Sequence, residues 1–135
     1  MAQAKEYAEV YPVPVDGLNM PAPIVVPMSF ETNEQTTTPI YVGGKFRINR
    51  VRAVAVKAIA GTDNGTLTIK DAAGDTIATI TCTASDAINT AYDSGVITDT
   101  DQDISADSFF QLVTAKTTAG GKLLVSVEYS ILPVR

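Results

Sequence analysis

The chain has 135 residues and a mass of 14.2 kDa, one domain's worth, enough to bury roughly two-thirds of its unfolded surface around one core. It holds no histidine, no tryptophan and a single cysteine, Cys82, so a Ser-His-Asp or Cys-His relay, an imidazole metal ligand, an internal disulfide and a zinc or iron–sulfur cluster are all excluded. The net charge of -5 argues against a dedicated nucleic-acid binder, no apolar run approaches the ~18 residues of a membrane helix, and the N-terminus MAQAKEYAEVY lacks the basic-then-apolar order of a signal peptide.

Proline use divides the chain. Six of the seven prolines (Pro12, Pro14, Pro21, Pro23, Pro27 and Pro39) precede residue 40. Each fixes φ, removes a backbone donor and biases its predecessor toward extended conformations. The stretch YPVPVDGLNMPAPIVVP is therefore expected to run as an extended strap with a turn near Asp16-Gly17. A short helix over residues 2–11 is conceivable, but Pro12 ends it and ten residues do not hold a helix without tertiary support. The same segment carries Tyr7, Tyr11, Leu18 and Met20, so it is too apolar for a solvated linker and wants a surface to lie on. Residues 1–40 are read as an extended N-terminal arm and residues 41–135 as the folded domain.

From Tyr41 onward strand and turn signals alternate at short spacing. KFRINRVRAVAVKAI predicts a long strand with Val51, Ala53 and Ala55 on one face and Arg52, Val54 and Val56 on the other. Phe46 and Ile48 keep the opposite parity, which predicts a bulge near Asn49-Arg50. Thr62-Asp63-Asn64-Gly65 reads as a hairpin turn. TLTIK follows with Leu67 and Ile69 inward, DAAGD turns, and TIATITCT returns with Ala78, Ile80 and Cys82 inward. SFFQLVTAK and GGKLLVSVEYSIL close the chain, the last with Leu123, Val125, Val127, Tyr129 and Ile131 on one face. The threonines of these strands suit solvent-facing pleat positions. The fold class expected is all-β, an antiparallel β-sandwich of jelly-roll-like form preceded by an extended Pro-rich arm.

Charge is segregated. Lys45, Arg47, Arg50, Arg52 and Lys57 fall in 41–60 without an acid, whereas 61–107 holds nine aspartates against Lys70 alone. Aspartates that serve turns and basic residues on a solvated strand face explain this simply. The sharper reading has the basic strand of one copy meeting acidic loops of a neighbour. Asp99-Thr100-Asp101-Gln102-Asp103 begins like an EF-hand loop, but Ile104 replaces the required glycine and Phe110 the closing glutamate, so that reading fails. A looser Ca²⁺ loop stays open. Asn64-Gly65-Thr66 is read as a turn rather than a glycosylation site, and Cys82 as a buried inert thiol. No catalytic constellation, cofactor motif or metal site emerges, and no enzyme is expected.

The run GTDNGTLTIKDAAGDTIATIT, the later ISADSFFQLV and the Gly-Gly turn into the final strand resemble the small β-sandwich decoration (cement) proteins on tailed-bacteriophage capsids, over about residues 45–131. The resemblance implies a structural virion protein on the outer capsid surface, often trimeric, that bridges neighbouring capsomers of the major capsid protein. Neither nucleic acid nor a membrane is expected as partner, given the acidic charge and the lack of a long apolar run. A head-fibre or receptor- or carbohydrate-binding module is the alternative, with Tyr41 and Tyr92 as its best aromatics. Beside the resemblance, Tyr7, Tyr11, Pro12, Pro14, Leu18, Met20, Arg50 and Arg52 are the residues expected to contact a capsid or a sister subunit. A homo-oligomer, trimer favoured, is expected because the arm and last strand offer more apolar surface than one small sandwich needs.

Overall fold

The computed structural model describes residues 21–133. Among the described residues, nine strands form two antiparallel sheets: β1 (Ile24–Ser29), β2 (Thr37–Ile40), β3 (Phe46–Lys57), β4 (Gly65–Asp71), β5 (Thr76–Cys82), β6 (Ala91–Asp93), β7 (Asp103–Ile104), β8 (Phe110–Ala115) and β9 (Lys122–Ile131). The first sheet runs β1-β9-β3-β6 with β7 also on β3, and the second runs β2-β8-β4-β5. Pairing is nested: β1 with β9, β2 with β8, and β4 with β5 innermost. That nesting makes the sandwich jelly-roll-like.

The long strand follows its sequence pattern. Phe46 and Ile48 face the core, then Val51, Ala53 and Ala55 do so on the other parity. The change falls at the expected bulge, where β9 moves from Glu128 opposite Arg50 to Tyr129 opposite Ile48. Asn49, the extra residue, donates from Nδ2 to Ser130 Oγ at 2.6 Å. Against this layer pack Leu67, Ile69, Ile80, Cys82, Phe110 and Leu112 of the second sheet. Phe46 sits edge-on to Phe110 at 5.7 Å between ring centroids. Thr114 crosses between the layers, donating to the Ser29 carbonyl at 2.7 Å and so satisfying a buried hydroxyl.

Three expectations change. Residues 24–40, read within the arm, supply an edge strand to each sheet: Ile24–Ser29 pairs with β9 and Thr37–Ile40 with β8. Pro27 and Pro39 are compatible with this because an edge strand has one side without ladder bonds. Thr62–Gly65 is not a hairpin turn but the crossover from β3 in one sheet to β4 in the other. Thr62 takes the positive φ (87°), and Asn64 Oδ1 accepts from the Ala84 amide at 2.9 Å. Gly65 is there for space, since a Cβ on it would lie 2.6 Å from the Phe30 ring. In β5, Ile77 also faces inward, because a register shift after Ile69 brings Thr76 opposite Lys70. DAAGD does form the β4–β5 turn, with Gly74 at φ 95° and Asp71 Oδ1 accepting from the Asp75 amide at 2.8 Å.

The Gly-Gly turn ties three segments together at one end of the sandwich. Gly121 offers its carbonyl to the Phe30 amide, and Gly120 exchanges backbone bonds with Phe30 and Ala60. Both glycines have φ near 130°, at 136° and 128°, where L side chains are strained.

Candidate interaction surface

Of the expected contact residues, Tyr7, Tyr11, Pro12, Pro14, Leu18 and Met20 lie outside the described residues. Arg50 and Arg52 stand on the outer face of β3. They do not await a neighbour's acids, because this chain supplies its own. Arg50 forms a two-pronged pair with Asp93, Nε to Oδ1 at 2.8 Å and Nη2 to Oδ2 at 2.5 Å. Arg52 lies between Asp93 at 3.8 Å and Glu128 at 3.4 Å. Arg47 pairs in the same forked way with Asp103 at 2.6 and 3.0 Å, and Lys57 meets Glu31 at 2.7 Å. The reason is topological. The short strands β6 and β7, which carry Asp93 and Asp103, flank β3 in the sheet. The acidic half of the sequence is thereby folded onto the basic strand. The Arg50 hydrogen bonds, then the Gly95 amide, hold the Asp93 carboxyl down at about 2. Asp103 is lowered chiefly by its bond from Arg47.

A further paired cation, Lys116, stabilises the loop end. The Lys116 side chain is fully covered, and its Nζ donates to the Asp63 carbonyl and to Oδ1 at 2.5 and 2.7 Å. The amides of Thr117 and Thr118 also point at that carboxylate. With Lys116 as the main cause, Asp63 is held down at about 2. Asp63, read as part of a turn, is the clasp between the β3–β4 and β8–β9 connections.

The acidic loop 99–103 does not converge on one point. Asp99 Oδ2 accepts from the Asp101 amide, Asp103 is taken by Arg47, and Asp101 turns toward the β4–β5 turn. There the carboxylates of Asp71, Asp75 and Asp101 lie within 4.8 Å of one another. Asp101 is raised, by burial first and then by the charges of Asp75, Asp71 and Asp99. Exposed acidic groups of this kind are common without an ion, and the three carboxylates carry no metal-site reading.

Cys82 is a buried thiol whose pKa burial pushes up to about 12, the reverse of what a nucleophile needs. Tyr92 is not an exposed platform. It packs against the core from β6 and donates its hydroxyl to Asp86 Oδ2 at 2.8 Å. Tyr41 is 67 % exposed and leans on Phe109 with centroids 5.0 Å apart.

What sequence reasoning passed over is the outer face of the first sheet. The register sets Pro27, Leu124, Val54 and Ala91 side by side in one row across all four main strands. Val25 lies one row away beside Ser126, and Val56 stands near Pro27 and Lys122. Val25 is 57 % exposed, Val56 47 % and Leu124 40 %. Isolated exposed apolar side chains are ordinary, but a contiguous row across a sheet marks a contact surface. Its signal was present in the sequence: both parities of Val51–Val56 are apolar except Arg52, as in a strand covered on two sides.

No family model matches the sequence, and no curated protein matches it. Among solved structures, the chain is similar to a chain of the cyanophage Pam1 capsid asymmetric unit, with 14% identity, 98% of this chain and 100% of that chain covered, and a TM-score of 0.45. It is also similar to a chain of the virus-like particle of the giant freshwater prawn Macrobrachium rosenbergii extra small virus, with 13% identity, 98% and 92% covered, and a TM-score of 0.35.

Proposed function

We infer that this chain is a structural virion protein that decorates and reinforces a phage capsid, binding the major capsid protein across neighbouring capsomers on the outer surface as a homo-oligomer, with a trimer favoured. The observation that carries this reading is the contrast between a sandwich whose interior is filled and an outer sheet face that is apolar and, among the described residues, uncovered. Such a molecule is built to be packed against, not to enclose a substrate. The resemblance of residues 45–131 to phage cement proteins supplies the setting. The composition agrees, since histidine is absent and the one thiol is buried.

The arm's Tyr7, Tyr11, Pro12, Pro14, Leu18 and Met20 contribute contacts with a capsid or a sister subunit in this reading. Arg50 and Arg52, already paired, set orientation at the rim more than affinity. Immunogold labelling of intact virions with an antibody against this chain tests the proposal. Label spread over the head exterior supports it. Label confined to a tail or fibre, or seen only after disruption, contradicts it.

The alternative, a head-fibre or carbohydrate-binding module, is favoured by one observation, the exposed Tyr41 ring backed by Phe109. A glycan array that binds the protein but not its Tyr41→Ala variant would select it.

A further inference from the structure

We propose that the apolar row on the outer face of the first sheet is the seat for the N-terminal segment, residues 1–20, of a second copy of this chain. The inference concerns contact between copies and is independent of which surface the assembly decorates. The seat is formed by Val25, Pro27, Val54, Val56 and Leu124, which span β1, β9 and β3 on one pleat surface. Between them lies a shallow depression lined also by Arg52 and Ser126.

The occupant is identified by what the chain has left to place. Twenty residues precede Pro21, and they include Tyr7, Val10, Tyr11, Val13, Val15 and Leu18. In Val10 to Val15 the apolar residues Tyr11, Val13 and Val15 alternate with proline, a spacing of two that suits a pleated surface. The prolines lower the entropy lost when such a segment is ordered.

One feature directs the segment to another copy rather than back to its own sheet, and a second disfavours its joining β1 as a further strand. Going from β1 toward the N-terminus, the chain meets Pro23 and Pro21, which favour extended backbone at Ala22 and Met20. Extended backbone before Ile24 would continue the line of β1 and lead away from Val25 and Pro27. Twenty residues reach at most about 70 Å, whereas four strands span only ~15 Å, so a neighbour's sheet is well within range. Second, Pro27 removes a donor from the edge strand, so adding the segment as a further strand on β1 is disfavoured. Lying across the face remains.

The test uses full-length chains and disulfide trapping. One set of variants carries Val10→Cys, Val13→Cys or Val15→Cys, and the other, separately tagged, carries Leu124→Cys. Leu124 is part-exposed, so its replacement spares the core, and buried Cys82 stays out of the exchange. After the two sets are mixed and oxidised, the proposal expects a covalent product of twice the 14.2 kDa chain mass that carries both tags, from at least one arm position. It expects Thr68→Cys, on the opposite sheet, to give no such product. A cross-link found only within one chain when both cysteines share it would overturn the proposal in favour of folding back. So would a Leu124→Cys product with itself alone, which indicates face-to-face packing, or no cross-link at any arm position. Failure of the capsid-labelling experiment leaves this result untouched, and the reverse also holds.

Discussion

The two sheets are built alike inside and differently outside. Both present alternating apolar residues to one core, from Val51, Ala53, Val125 and Val127 on one side and Leu67, Ile69, Ile80 and Leu112 on the other. Outward, the second sheet sets Thr66 opposite Thr81 and Thr68 opposite Thr79, with Lys70 and Gln111 beside them. That is a hydrated surface whose β-branched hydroxyls suit a pleat facing water. The first sheet sets Pro27, Leu124, Val54 and Ala91 in a row and borders it with Arg50–Asp93 and Lys57–Glu31 pairs. An apolar row bordered by satisfied charge pairs is the layout of a contact surface. The difference teaches that a strand's inward parity reports the fold, whereas its outward parity reports the surroundings the fold is made for.

The largest effects come from the shared interior, where both faces must fail together. Phe46→Ala removes a fully buried ring that touches Phe110 and Tyr129. It should cost about 3–5 kcal/mol by denaturant unfolding. Gly65→Ala forces a methyl into the Phe30 ring and should cost about 1–3 kcal/mol in the same measurement. If either variant were as stable as the parent, the close packing that joins the two sheets would be wrong.

Next come substitutions that separate the faces. Leu124→Glu should lower the mass seen by light scattering, with little change in the unfolding midpoint of the dissociated chain. Thr68→Glu should change neither. Equal effects from the two would erase the distinction between the sheets.

Acid gives a smaller, graded effect. Asp63 and Asp93 are held at about 2 against an ordinary 3.8, and Glu31 and Asp103 are lowered too. Carboxylates with depressed folded pKa stabilise above the unfolded value, and that contribution is lost as pH falls through the folded one. Stability should therefore decline from about pH 4 toward about pH 2, and Arg50→Gln should return Asp93 toward its ordinary titration by NMR. Because Asp93 and Arg50 are exposed, the change in stability at pH 7 should be small.

Much of this was legible in the sequence. The strand over 46–57 with its bulge followed from the parity change between Ile48 and Val51, which any strand packed on one side must resolve. The second-sheet hairpin followed from its alternation and from Gly74. Elsewhere local signals misled. Asn64-Gly65 has hairpin chemistry, yet Phe30, 35 positions away, claims the space over Gly65. Prolines suggested that the whole of 1–40 lies apart, yet Pro27 and Pro39 fit edge strands. The charge pairs join residues 43 and 56 positions apart, so the segregation of sign along the chain concealed neutralisation in space. The outer face left one local trace, the doubly apolar Val51–Val56, but its row could not be assembled from sequence, since four strands distant in sequence contribute one residue each.

Maleimide labelling of Leu124→Cys and Thr68→Cys in the full-length chain asks whether the first sheet's outer face is covered in the assembled protein while the second's stays open. Cys82 is silent in this assay because it is buried. Slow labelling is expected at position 124 in the assembly, rising to the rate of a free thiol on dilution to single chains, with position 68 fast throughout. Equal and rapid labelling at both positions in the assembly, or protection at 68 alone, would contradict it.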